Sequence, residues 1–126
     1  MNHPTVERDA SGRCRFLGYV VRWKGLTLYH SGDTVWHPAL LPSLWRFGIR
    51  IAFLPINGDR PERRVAGNLD GIEAARLAKG IAARLVIPCH FDLFEFNTAS
   101  PAEFVAECQR IGQPFRVLRN GEGLEL

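Results

Sequence analysis

The stretch that decides the fold is Leu28–Thr34, LYHSGDT, in which a short apolar strand leads into a glycine and then a carboxylate. The leucine and the Tyr29 ring have strand character, and Gly32 permits a sharp turn without a Cβ clash. Asp33 is therefore predicted at the C-terminal end of a buried strand, a position where layered α/β proteins commonly hold ligands. The alternative is a turn aspartate that hydrogen-bonds its own backbone.

The composition predicts a single globular domain, or part of one, over residues 1–126, because 46% of the residues are hydrophobic and 23% are charged. The net charge of +3 comes mainly from scattered arginines, which disfavours nucleic-acid binding but fits a pocket for an acidic substrate. No apolar run approaches the ~18 residues of a membrane span. Three cysteines without CxxC spacing and an N-terminus unlike a signal peptide predict a soluble cytoplasmic protein.

The hydrophobic periodicity predicts alternating strands and helices after an N-terminal hairpin. Asp70 and Glu73 have the spacing of a capping box, and Ser100 followed by Pro101 is a helix start signal. Gly48 and Gly112 are predicted to end helices. The predicted elements are a hairpin over 15–30, helices over 38–47, 71–83 and 100–111, and strands over 49–56, 84–89 and 115–118.

Polar residues follow three of these predicted strands, namely Asp33, Asn57 and His90. A carboxylate and an imidazole at neighbouring strand ends form a pair of the kind that binds divalent transition metals. Asp92 follows closely enough to orient the His90 ring by a hydrogen bond. The alternative is that His90 is an ordinary surface or core histidine, as we expect for His30.

Four motifs in this order resemble the C-terminal half of metallo-β-lactamase-fold hydrolases, and most closely the L-ascorbate-6-phosphate lactonase-like branch. They are SGDT at 31–34, LPING at 54–58, GNLDG at 67–71 and IPCHFD at 87–92. The resemblance implies an α/β fold that is half of an αββα sandwich, with one mixed β-sheet and helices on its outer face. The other face of this sheet would be exposed and apolar.

The resemblance also implies site residues. Asp33 matches the aspartate that bridges two metals, His90 matches the last histidine ligand, and His3 becomes a third candidate ligand. The complete fold would bind one or two divalent ions, zinc or manganese. Aspartate and histidine ligands suit zinc, manganese and iron alike, so they do not identify the metal. It would hydrolyse a small lactone or ester, phosphorylated or not, with substrate contacts from the polar residues Asn57, Arg60 and Arg63.

The chain departs from this family in lacking the motif His-x-His-x-Asp-His, because its four histidines are His3, His30, His37 and His90. We therefore assign it no catalytic residue and predict a fragment of a metal-dependent hydrolase that is inactive alone. The alternative is a non-catalytic half-fold module that forms a homodimer or pairs with a separate N-terminal half. An RNA-processing role is disfavoured, since there is no basic stripe with stacking aromatics.

Overall fold

The computed structural model describes residues 7–126, so the predicted ligand His3 lies outside the described residues. Over this range the chain forms a four-stranded sheet of order β1-β2-β3-β4, with three helices and two 3-10 turns. The strands are β1 (Tyr19–Trp23), β2 (Leu26–His30), β3 (Ile51–Pro55) and β4 (Leu85–Cys89). The helices are α1 (Leu40–Leu44), α2 (Gly71–Gly80) and α3 (Ala102–Ile111), and the 3-10 turns are Trp45–Phe47 and Pro61–Arg63.

The sheet is mixed, as predicted. β1 and β2 form an antiparallel hairpin, whereas β2, β3 and β4 run parallel. Lys24 and Gly25, the two residues of the hairpin turn, have φ values of 47° and 78°. Positive φ at both positions matches the right-handed twist of the paired strands. The parallel strands are joined by connections that contain α1 and α2, which places their C-terminal ends at one edge of the sheet.

The two faces of the sheet differ in what covers them. Alternation along the strands places Ala52, Leu54 and Val86 on one face, where they are fully buried in the core together with residues of the helices. On the opposite face of β1, Tyr19 and Val21 are more than half exposed. The sheet therefore has its helices on one face, as predicted, and leaves apolar side chains uncovered on the other.

Helix α2 begins with the predicted capping box. The Asp70 carboxylate accepts a hydrogen bond from the Glu73 amide at 2.8 Å, and the Glu73 carboxylate accepts one from the Asp70 amide at 3.1 Å. α2 packs closely on α3 because Gly71 lacks a side chain: a Cβ there would lie 2.8 Å from the backbone nitrogen of Phe104. The capping box thus sets where α2 begins, and Gly71 sets how near it lies to α3.

Three local predictions are corrected by the structure. The segment predicted as a last strand makes only a single parallel bridge, between Phe115 and Val86. The backbone on either side of Phe115 hydrogen-bonds to Val86, and the segment then leaves the sheet. For this reason no strand forms. Pro101 rather than Ser100 takes the N-cap position of α3, although the Ser100 hydroxyl still accepts from the Ala102 amide at 3.2 Å. The helix predicted over 71–83 ends at Gly80, and Ala82 is exposed beyond its end.

Glu107 on α3 is nearly buried and accepts hydrogen bonds from Arg76 and Arg110 at 2.7–2.8 Å. These arginine hydrogen bonds lower the pKa of its carboxyl group from 4.5 to about 2. Because the folded-state pKa is the lower one, the stabilisation is present above pH 4.5 and is lost as the pH falls towards 2. We expect Glu107→Gln to lower the urea midpoint at pH 7, by an amount that shrinks as the pH falls through this range.

Urea titrations at several pH values measure this effect, and Glu103→Gln, at an exposed site on the same helix, is the control. A deficit of Glu107→Gln that is the same at pH 7 and pH 3 would contradict the role of the charge.

Candidate metal centre

Asp33 lies just beyond β2, in a turn that requires glycine before it. Gly32 has a φ of 60°, and a Cβ at this position would lie 3.0 Å from the carbonyl oxygen of Leu17. The Gly32 amide donates a hydrogen bond to Nδ1 of His30 at 3.0 Å, and the His30 ring stacks on Phe53. His30 therefore supports the turn, while the Asp33 side chain remains 71% exposed.

His90 lies just beyond β4 and also has a left-handed backbone, with a φ of 62°. Such a conformation is uncommon for residues with a side chain, and it concentrates at functional sites because surrounding structure must hold it in place. The imidazole is only 22% exposed, and its Nδ1 is buried without a hydrogen-bond partner among residues 7–126. An orphaned ring nitrogen of this kind is a polar group that still requires a partner.

The two side chains meet across an intervening strand. β2 and β4 are separated by β3, so their backbones are about 9.5 Å apart, two strand spacings. The left-handed turns at Gly32 and His90 nevertheless bring Nε2 of His90 to 3.8 Å from Oδ1 of Asp33. The sequence predicted neighbouring strand ends; the structure places the end of β3 between them.

The separation of 3.8 Å is too long for a hydrogen bond. It is close to the distance between two ligands of one ion. With metal–nitrogen and metal–oxygen bonds of about 2.0–2.2 Å, two ligand atoms lie about 3.4 Å apart at a tetrahedral angle and at most about 4.3 Å apart. Asp33 and His90 therefore fit a shared divalent metal. Within residues 7–126 no group of three or more metal-binding side chains is present.

The predicted contact of Asp92 with the His90 ring is wrong. Asp33 has the only carboxylate of the described chain within 4.0 Å of a His90 ring nitrogen. Asp92 instead has a φ of 55°, and its amide donates a hydrogen bond to the Thr98 hydroxyl at 2.7 Å. Asp92 is therefore held within its own loop by this hydrogen bond to Thr98.

Asn57 and Arg63, both predicted to contact substrate, contact each other and the loop after β4. Asn57 is 1% exposed, and its side-chain amide donates to Oδ1 of Asn97 at 2.8 Å. The Arg63 guanidinium donates to the carbonyl oxygen of Asn57 at 2.6 Å and to that of Thr98 at 2.7 Å. These contacts join the loops that follow β3 and β4, so the two residues position the loop next to His90. Their predicted substrate contact stays a prediction.

The remaining predicted substrate residue, Arg60, is exposed, and its guanidinium makes no hydrogen bond to a described residue. This difference predicts that Arg63→Ala destabilises the fold by about 1.5–3 kcal/mol, since charged hydrogen bonds are lost. Arg60→Ala is the matched control and should change stability by less than about 0.5 kcal/mol. Urea denaturation measures both variants, and equal effects would contradict the structural role of Arg63.

Asn97 and Thr98, which no sequence motif indicates, hold this network on the side of the loop after β4. They lie 34–40 residues from Asn57 and Arg63 in the chain, and no periodicity links them. The only local signal is the polar pair itself, between the largely apolar segment 93–96 and the start of α3.

Comparisons with known proteins agree with this architecture. A family model described as a β-lactamase superfamily domain matches residues 1–91. A protein of Opitutus terrae named UPF0173 metal-dependent hydrolase is 38% identical over 109 residues, which cover 86% of this chain and 44% of that protein. A protein of the same name from Anoxybacillus flavithermus is 36% identical over 113 residues, with the same coverage.

The solved structure of Igni18, a metallo hydrolase from Ignicoccus hospitalis, shares the fold with a TM-score of 0.72 at 24% identity. The match covers 94% of this chain and 48% of that chain. This chain therefore spans less than half the length of these relatives. The family model covers most of its residues, with Asp33 and His90 both inside the matched range. The chain belongs to the β-lactamase superfamily domain family.

Proposed function

We propose that this chain supplies part of the metal centre of a metal-dependent hydrolase. Asp33 and His90 are two ligands of one divalent ion, and His3 is the third ligand that this chain contributes. The observation that carries the proposal is the 3.8 Å separation of His90 Nε2 from Asp33 Oδ1, with no hydrogen bond between them. The relatives named metal-dependent hydrolases support the same chemistry.

A divalent metal bound at this position would lower the pKa of water to about 7 and would polarise a substrate carbonyl. Asp33 and His90, at the ends of β2 and β4, would hold the ion. Zinc and manganese both accept this ligand set. The reaction is hydrolysis of a lactone or a related ester, as in the L-ascorbate-6-phosphate lactonase-like branch that the four motifs resemble.

We propose further that turnover needs ligands beyond those of this chain. The motif His-x-His-x-Asp-His does not occur in its 126 residues, and the relatives are more than twice as long as the region they share with it.

Three free cysteines favour a reducing cytoplasmic location. No helix of the described chain is long and apolar enough to cross a bilayer.

The test is to titrate the purified chain, stripped with a chelator, with ZnCl2 and with MnCl2 by calorimetry, and then to assay hydrolysis of dihydrocoumarin. We expect one bound ion per chain and no hydrolysis above the rate of metal alone. Absence of metal binding would refute the metal centre. Hydrolysis at ordinary enzyme rates would refute the proposal that this chain is incomplete as a catalyst.

A second candidate function is a non-catalytic half-fold module that pairs with a second copy through the uncovered sheet face. The observation that favours it is the row Tyr19, Val21 and Trp23 on edge strand β1, each more than half exposed. Sedimentation velocity separates the candidates. A monodisperse dimer would favour the module, whereas a polydisperse aggregate would favour an incomplete hydrolase that pairs with an N-terminal half.

A further inference from the structure

A cavity of about 500 Å³ opens beside the metal centre, and neither the motifs nor the metal ligands account for it. Asp33 borders it on one side, and Gly67 and Ala66 border it on another. Most of the remaining wall is apolar, with Leu17 and Leu40 among its residues. A largely apolar cavity with a few polar groups is the usual form of a small-molecule site.

One of those polar groups is the hydroxyl of Tyr29. The residue is only 4% exposed, and burial raises the pKa of its phenol to about 12. Its hydroxyl makes no hydrogen bond to any residue between 7 and 126, and it does not belong to the described buried polar atoms that lack a partner. Gly18 lies directly against the ring, since a Cβ there would lie 3.2 Å from its Cε2 atom. Tyr29 therefore contributes a hydroxyl without a described partner to the residues that line the cavity.

A second unpaired group in the wall is the imidazole of His37. It is half-buried, and burial lowers the pKa of the ring. No described residue hydrogen-bonds this ring. The other hydroxyls in the wall are already engaged: Ser31 donates to the Gly32 carbonyl at 2.7 Å, and Thr34 donates to the Val35 carbonyl at 3.2 Å. Apart from the two carboxylates, Tyr29 and His37 are the polar side chains of the wall that no described residue engages.

The charges of the wall exclude one class of ligand. Among residues 7–126, the formal charges that line it are the carboxylates of Asp33 and Glu7, and no lysine or arginine of this range does so. Arg63 is engaged between two loops, and Arg60 lies outside the wall. In the metal-free chain, a phosphate or carboxylate group in this cavity would be repelled by these carboxylates and would find no cationic partner among the described residues.

We infer that this cavity binds the uncharged, apolar body of the substrate, an aryl or alkyl group, with hydrogen bonds from the Tyr29 hydroxyl and the His37 imidazole. This inference rests on the proposed function, because it places the scissile ester or lactone next to Asp33. It specifies the substrate class: the apolar body of the substrate, rather than an anionic group, occupies the cavity.

The test uses two single-ring probes of different charge, neutral dihydrocoumarin and dianionic phenyl phosphate, in 15N NMR titrations of the full chain without metal. We expect dihydrocoumarin to shift the amides of Gly18, Val35 and Gly67, and phenyl phosphate to leave them unchanged. Shifts of the same amides by phenyl phosphate would overturn the charge argument. Absence of shifts with dihydrocoumarin would overturn the inference.

Variants separate the cavity from general binding. Ala66→Trp fills the mouth from an exposed site and should weaken dihydrocoumarin binding by at least about tenfold. Ala106→Trp, the same change at an exposed site on α3, should leave it unaltered. Tyr29→Phe removes only the hydroxyl and should weaken binding by about fivefold. Equal binding of dihydrocoumarin by the unmodified chain and by all three variants would overturn the inference.

These outcomes are distinguishable from a failure of the proposed function. Binding of dihydrocoumarin without any metal binding would contradict the metal centre and leave the cavity in place. If metal-dependent hydrolysis appears once the metal ligands that this chain lacks are supplied, a rate unchanged by Ala66→Trp would contradict the cavity. The metal centre would then remain in place.

Discussion

Replacing Asp33 with Asn, or His90 with Gln, is expected to lower the affinity of the chain for Zn2+ by at least about 100-fold. Loss of a group that merely supports a ligand already costs about 10–100-fold, and each substitution removes a ligand itself. Asn keeps the shape of Asp33 but loses the charge, and Gln keeps a polar side chain at His90 without its ring nitrogens. The measurement is calorimetric titration of each chelator-stripped variant with ZnCl2.

Asp92→Asn is the matched control, because it makes the same change in the loop next to His90. Asn tolerates the left-handed backbone of this position, and the Asp92 carboxylate does not contact the imidazole. We expect its Zn2+ affinity to stay within about twofold of the unmodified chain. A loss for Asp92→Asn as large as that for Asp33→Asn would reinstate Asp92 as an orienting residue. Unchanged affinity in Asp33→Asn would remove Asp33 from the metal centre.

Replacing Phe104 with Ala is expected to destabilise the fold by about 3–5 kcal/mol, a large part of the roughly 5–15 kcal/mol that stabilises a typical domain. Phe104 is fully buried, and its ring packs edge-on against Phe115 with the centroids 5.8 Å apart. It also lies directly against Gly71, so α2 and α3 leave little freedom for the site to close over the lost ring. Urea denaturation followed by circular dichroism measures the loss.

The matched control is Phe94→Ala, the same substitution at a residue that is 50% exposed in the loop after β4. Its ring contacts Phe96 with the centroids 6.0 Å apart, and no core residue depends on it. We expect a change below about 1 kcal/mol. Comparable losses for the two variants would show that the junction of α2 and α3 is not the main core of this fold.

Much of the fold could be predicted from local sequence because its signals act over a few residues. The Asp70–Glu73 capping box and the helix-ending glycines Gly48 and Gly112 all take the predicted conformations. The last strand could not be predicted in this way. Phe115 has strand character, but whether the segment pairs depends on the path of the backbone after its single bridge to Val86.

The candidate site likewise has features that local sequence predicted and features that it could not predict. Strand and turn patterns placed Asp33 and His90 each beyond the end of a strand, but sequence spacing does not show that β3 lies between them or that they approach to 3.8 Å. Arginine and asparagine in a loop suggested substrate contacts for Arg63 and Asn57. The structure gives both residues hydrogen-bond partners some 34–40 positions further along the chain, which no local pattern encodes.

The sequence by itself determined the alternation of strands and helices, the turn glycine before Asp33 and the chemical types of the candidate ligands, because these depend on backbone preferences and on residue identity. Only the tertiary structure decided which polar groups meet. Two left-handed turns bring Asp33 and His90 together across β3, and packing leaves Tyr29 and His37 beside a cavity without a side-chain partner among residues 7–126. These juxtapositions arise from long-range packing, which fixes the relative position of residues far apart in the chain.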